Sequence, residues 1–100
     1  MTARTPEGRL KQECGKVAGV NRLAFWQIEG KGINGIPDTL AQHTDRKGFV
    51  LIEFKTETGA LSEQQMRRIE RLRDGGQRVA VCRTVDEYMR AVGLTGHGEL

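Results

Sequence analysis

The sequence is poor in the residues that announce a scaffold or a compartment. Its two cysteines, Cys14 and Cys82, are too few for a disulfide framework and have no second pair with which to hold zinc. Both fall in apolar-patterned segments and read as small buried thiols of a reducing compartment, not as nucleophiles. The two histidines, His43 and His97, have no partners in sequence and read as surface residues. No apolar run approaches the roughly 20 residues of a membrane span, and the opening Met-Thr-Ala-Arg-Thr-Pro lacks the apolar core of a signal peptide. A soluble cytoplasmic protein with no membrane partner is expected. Aromatic residues are only 5% of the chain and hydrophobic ones 37%, so the core is small. One hundred residues with such a core make a single domain, expected over 1–93 with a frayed tail over 94–100. Burial in a chain this short is limited, and a homodimer is the expected remedy.

What is present begins with charge. Sixteen Lys and Arg against 13 Asp and Glu give a net charge of +3, which favours an anionic partner without demanding one. Hydrophobic periodicity then predicts a small mixed sheet flanked by helices, in the order helix, three strands, helix, strand, helix. Thr5-Pro6 supplies an N-cap and a proline at the first helical position. Leu10, Cys14, Val17 and Ala18 recur at helical spacing, and Gly19 ends the helix. Arg22–Ile28 is strand-like and leads into the glycine-rich segment Glu29–Gly35, which lacks the Gly-Lys-Ser/Thr ending of a phosphate-binding loop. Asp38–Thr44 and Phe49–Thr56 form a hairpin across Asp45-Arg-Lys-Gly48, and the second of these strands is expected to be buried on both faces. Ser62 caps a helix whose buried stripe is Met66, Ile69 and Leu72, and Gly75-Gly76 stops it. Arg78–Arg83 is the last strand, parallel to Phe49–Thr56 through a right-handed crossover, and Thr84 caps a final helix to about Val92.

The chemistry concentrates in the most apolar strand. Glu53 and Lys55 interrupt it, and a period of two puts both on one face. Unpaired charges there are costly, so they need each other, a cation or a task. Antiparallel pairing in the hairpin brings Asp38 close to Glu53. Two carboxylates at one point repel, and a divalent cation with all-oxygen ligands, magnesium or manganese, relieves the repulsion. Glu7 lies at the N-terminal end of the first helix's apolar stripe and reaches the same place, or else complements the helix dipole. Gln65 faces the sheet, yet Ser62-Glu-Gln-Gln65 also matches a capping box; the two roles are compatible.

The string Gly35-Ile-Pro-Asp38, Ile52-Glu-Phe-Lys55 and Gly59-Ala-Leu-Ser-Glu-Gln-Gln65 resembles the virus-type replication-repair nucleases, the VRR-NUC family of the PD-(D/E)xK superfamily. Thr5-Pro-Glu-Gly8 is similar to the start of small stand-alone phage members, and the likeness runs from about Thr5 to Val81. The resemblance implies a Mg²⁺- or Mn²⁺-dependent nuclease. It implies Asp38 and Glu53 as metal ligands, with the Phe54 carbonyl and the first-helix acid Glu7. It implies Lys55 as the catalytic lysine, and Gln65 as the family's glutamine. It further points to a cytoplasmic enzyme of a bacterium or phage-infected cell.

Lys31 in the glycine-rich segment and Arg67, Arg68 and Arg71 on the second predicted helix are the candidate DNA contacts, although that arginine face also reads as a solvated surface paired with Glu63, Glu70 and Asp74. The expected function is a structure-selective endonuclease acting at branched DNA, akin to Holliday-junction resolvases. A core of this size has no evident base-reading element, and a symmetric dimer reads shape more simply. The alternatives are a non-catalytic nucleic-acid-binding module on the same fold and, last, a structural protein whose buried charges pair internally.

Overall fold

A computed structural model describes residues 5–28 and 35–94 of the chain. Residues 29–34, which include Lys31, and residues 95–100, which include His97 and all but the first residue of the expected tail, lie outside the described residues. The elements are α1 (Pro6–Val20), β1 (Phe25–Gln27), β2 (Thr39–Gln42), β3 (Phe49–Phe54), α2 (Glu63–Asp74), β4 (Val79–Cys82) and α3 (Val85–Ala91). The four strands form one sheet in the order β1-β2-β3-β4. The first two pairings are antiparallel and β3–β4 is parallel, as the α2 crossover requires. Among the described residues no helix is long and apolar enough to cross a membrane.

The helix ends follow their capping residues. Thr5 accepts the Gly8 N–H, and α1 runs one residue past Gly19. Ser62 and Gln65 form a reciprocal capping box, and Thr84 accepts the Glu87 N–H. Gly75 caps the end of α2, and Gly76 follows in the left-handed region.

The strands are shorter than their composition predicts. β1 keeps three residues of Arg22–Ile28, because pairing with β2 is limited to Phe25–Gln27. β3 stops at Phe54, although the Lys55 N–H still donates to the Cys82 carbonyl. In the hairpin connection, His43 and Gly48 close the loop through a 3.0 Å hydrogen bond and the Lys47 N–H donates to Asp45 Oδ1. The left-handed residue there is Arg46, at φ 60°, and not a glycine or aspartate. His43 is half-buried and partnered, since its Nδ1 accepts the Asp45 N–H at 3.1 Å. This corrects the surface reading, which sequence could not improve because the partner is a backbone group created by the turn.

Alternation sorts β3. Val50, Ile52 and Phe54 turn to one side, where they meet Ala41 of β2, Cys82 of β4, Cys14 and Ala18 of α1, and Tyr88 and Val92 of α3 in the hydrophobic core. Both thiols are free and buried there, and burial pushes each up to about 12, which makes them inert. The opposite face carries Phe49, Leu51 and Glu53. It is less enclosed than predicted, with Phe49 and Leu51 only partly covered and Trp26 stacked on Phe49 at 5.6 Å while remaining 57% exposed. α2 lies against β4, with Ile69 buried. Met66 is exposed and Leu72 half-buried, contrary to the predicted three-residue stripe, because the short α2 rests chiefly on β4 at one edge of the sheet.

Candidate active site

The hairpin register assembles the central pair. Thr39 faces Ile52 across β2 and β3, and the same register continued by one residue sets Asp38 opposite Glu53. The Asp38 backbone is held from its other side by the Ile28 N–H, 2.7 Å from its carbonyl. Continued once more, the register sets buried Pro37 opposite Phe54. Proline has no N–H, so β2 offers the Phe54 carbonyl no ladder donor at that point.

Glu53 is 6% exposed, and Lys55, the residue after the end of β3, is close enough for its charge to act on it. Burial, then the charge of Asp38, raises its carboxyl to about 7; Lys55 opposes the shift, Glu7 adds to it and Lys11 opposes it. No ion pair within 4 Å joins Lys55 to Glu53 among the described residues, so an internal salt bridge does not account for the two charges. Gln65 serves both readings offered for it. Its Oε1 accepts the Ser62 N–H at 2.9 Å, and its Nε2 donates to Glu53 Oε2 at 3.2 Å. The capping box thereby fixes which end of the amide points at the carboxylate.

Lys11 was not singled out by the sequence. Its Nζ contacts Asp38 Oδ2 and lies 3.8 Å from Glu7 Oε2, while Asp38 Oδ1 accepts the hydroxyl of fully buried Thr39 at 3.1 Å. The signal for Lys11 was there: it sits four residues after Glu7 and three before Cys14, within the stripe that faces the core. What the spacing does not reveal is a partner 27 residues away. Arg83 is a second omission. Its guanidinium donates to the carbonyls of Thr56 and Gly59 and so secures the turn that follows Lys55.

The structure brings part of the expected set together. Asp38, Glu53 and the Phe54 carbonyl offer hard oxygen donors, and a carboxyl raised to about 7 by burial and by the neighbouring Asp38 charge suits a small divalent cation. Glu7 is turned to Lys11, and among the described residues no group of three acidic, histidine or cysteine side chains is close enough to form a cation cage by itself. Arg67, Arg68 and Arg71 are exposed and, with Gln64, line a surface concavity on α2. None of the three makes an ion pair within 4 Å among the described residues, so the predicted neutralisation by Glu63, Glu70 and Asp74 is not formed.

These elements have relatives. The VRR-NUC domain model matches residues 7–86, from the first-helix glutamate to the first turn of α3. The chain belongs to the VRR-NUC family. VRR-NUC domains are a nuclease-type family, which gives the acidic pair and its lysine a chemical context. A solved structure described as a VRR_NUC domain is similar to this one with a TM-score of 0.77 and 22% sequence identity, over 93% of this chain and 100% of that chain. At that identity the likeness establishes the fold. No curated protein matches the sequence.

Proposed function

We propose that this VRR-NUC protein is a Mg²⁺- or Mn²⁺-dependent endonuclease that hydrolyses phosphodiester bonds in branched DNA as a homodimer. The observation that carries the reading is the acidic pair, Asp38 opposite Glu53, with the charge of Lys55, just past the end of β3, acting on Glu53. Asp38, Glu53 and the Phe54 carbonyl are the residues that hold the ion, and Glu7 is the acid available from α1. When bound, the ion supplies Lewis acidity at the scissile phosphate and lowers the pKa of a coordinated water.

The side chains do the rest. Gln65 and the surrounding packing keep Glu53 in one orientation, so its charge is directed at the ion position without reorganisation. Lys55 orients the attacking water and offsets the extra negative charge that develops as phosphorus becomes five-coordinate. Arg67, Arg68 and Arg71 contact backbone phosphates, which bind DNA without reading its sequence. Two such sites related by a two-fold axis suit two strands of a junction. The two reduced, buried thiols favour a cytoplasmic setting.

The test is to incubate the protein with four-way junction, flap and linear duplex DNA in Mg²⁺, Mn²⁺ or chelator. Cleavage of the branched substrates that requires the metal and is lost in Lys55→Ala and Asp38→Ala supports the reading. Cleavage that survives either substitution overturns the site assignment. Tight binding without cleavage under any metal supports the binding module in its place.

A further inference from the structure

We propose that Lys11 is an internal cation that holds the place of the metal ion on Asp38 and must leave for the ion to bind. The inference deepens the metal reading above and rests on it. Its starting point is that both oxygens of Asp38 are engaged: Oδ1 by the Thr39 hydroxyl and Oδ2 by the Lys11 ammonium. Each carboxylate oxygen has a second lone pair, so the Thr39 hydroxyl can stay while an ion binds, but an ammonium on Oδ2 lies within ångströms of any divalent cation on that carboxylate and repels it strongly. The cationic donor is the one that has to move. Thr39 is completely buried on the core side of β2, whereas Lys11 carries its charge on a flexible four-carbon stem and retains 18% side-chain exposure. Lys11 is the donor that yields.

The charges agree with the geometry. Glu7, Asp38 and Glu53 bring three carboxyl groups to this end of the sheet, of which Glu53 holds its proton to higher pH, and Lys11 and Lys55 bring two positive charges. Lys11 keeps the cation-free protein near electrical balance, and it makes an arriving divalent ion compete with a charge already in place. Glu7, 3.8 Å from the ammonium, gives Lys11 a second anchor one helical turn away once it releases Asp38. Lys11 is a positioning residue in this account, acting on the ion through Asp38.

The experiment is calorimetric titration of MnCl₂ into metal-stripped wild type, Lys11→Met, Lys11→Arg and Asp38→Asn, with thermal melting to verify that each is folded. Lys11→Met removes the charge and keeps the stem, and its Mn²⁺ affinity is expected to rise about tenfold or more, the effect of deleting one competing charge beside a ligand. Lys11→Arg is expected to bind no more tightly than wild type, and Asp38→Asn most weakly. In melts, Mn²⁺ is expected to raise the midpoint of Lys11→Met more than that of wild type. Should the methionine variant not fold, Lys11→Gln makes the same test. Equal or weaker binding by a folded Lys11→Met, with affinity still lost in Asp38→Asn, overturns the role of Lys11 and leaves the metal reading standing. Absence of Mn²⁺ binding in every variant overturns both.

Discussion

Val50, Ile52 and Phe54 on one side of β3 are each 3% exposed or less and belong to the hydrophobic core, whereas the side made by Phe49, Leu51 and Glu53 is half-open and carries a carboxylate. Covering by α1 and α3 makes the first face a stabilising surface. The second is covered over only part of its width by α2, which leaves room for a ligand and for charge. The contrast shows how one strand serves two ends. On this second face Glu53 itself is buried at the end of the strand, and that burial, with the Asp38 charge, raises its carboxyl.

The sharpest break of this contrast is Phe54→Ala. Phe54 is fully buried against the Phe25 ring at 5.9 Å, and its truncation is expected to cost about 3–5 kcal/mol in urea unfolding. A small loss would mean that the core face is no better packed than the other.

On the opposite face, Glu53→Gln tests the cost of the charge. In metal-free protein the folded carboxyl titrates at about 7 against an ordinary 4.5, so the folded state holds its proton longer. The associated stability is complete below the ordinary value and is lost as pH rises through about 7. Glu53→Gln is expected to abolish that slope, a difference of roughly 3–3.5 kcal/mol at most between the ends of the window. Parallel curves of stability against pH for the two proteins, measured with chelator present, would show that Glu53 is not the group responsible.

Ser62→Ala sharpens the comparison where α2 joins it. The loss of the cap is expected to cost about 1 kcal/mol, and it also loosens the anchor that aims Gln65 at Glu53. Unfolding in urea measures the first effect and the pH at which Glu53 titrates, followed by NMR, measures the second. The smallest effect has the opposite sign. The Tyr88 hydroxyl is buried in the core without a hydrogen-bond partner among the described residues, so Tyr88→Phe is expected to be neutral or to stabilise by up to about 1 kcal/mol. A clear destabilisation would reveal a partner for that hydroxyl.

Much of this arrangement was legible before any coordinates. Thr5, Pro6, Ser62 and Thr84 marked helix starts because a cap is a contact between residues three apart, and Asp45 to Gly48 marked the hairpin for the same local reason. Strand ends were read too long, since a strand stops where its partner stops and not where its own composition changes. Met66 was assigned to a buried stripe because periodicity describes a helix and not the width of the surface it meets. Lys11 went unnamed because the value of its charge depends on a carboxylate 27 residues away.

Interactions that span a single turn are written in neighbouring residues: the caps, the reverse turn and the capping box that orients Gln65. The hairpin register and the docking of α1 add what no local pattern carries, that Pro37 deprives the Phe54 carbonyl of a ladder donor and that Lys11 sits on Asp38. The physical reason is that the first set follows from backbone geometry over a few residues. The second requires the hairpin register and the docking of α1 to be chosen together, by the burial of a core whose members lie throughout the chain.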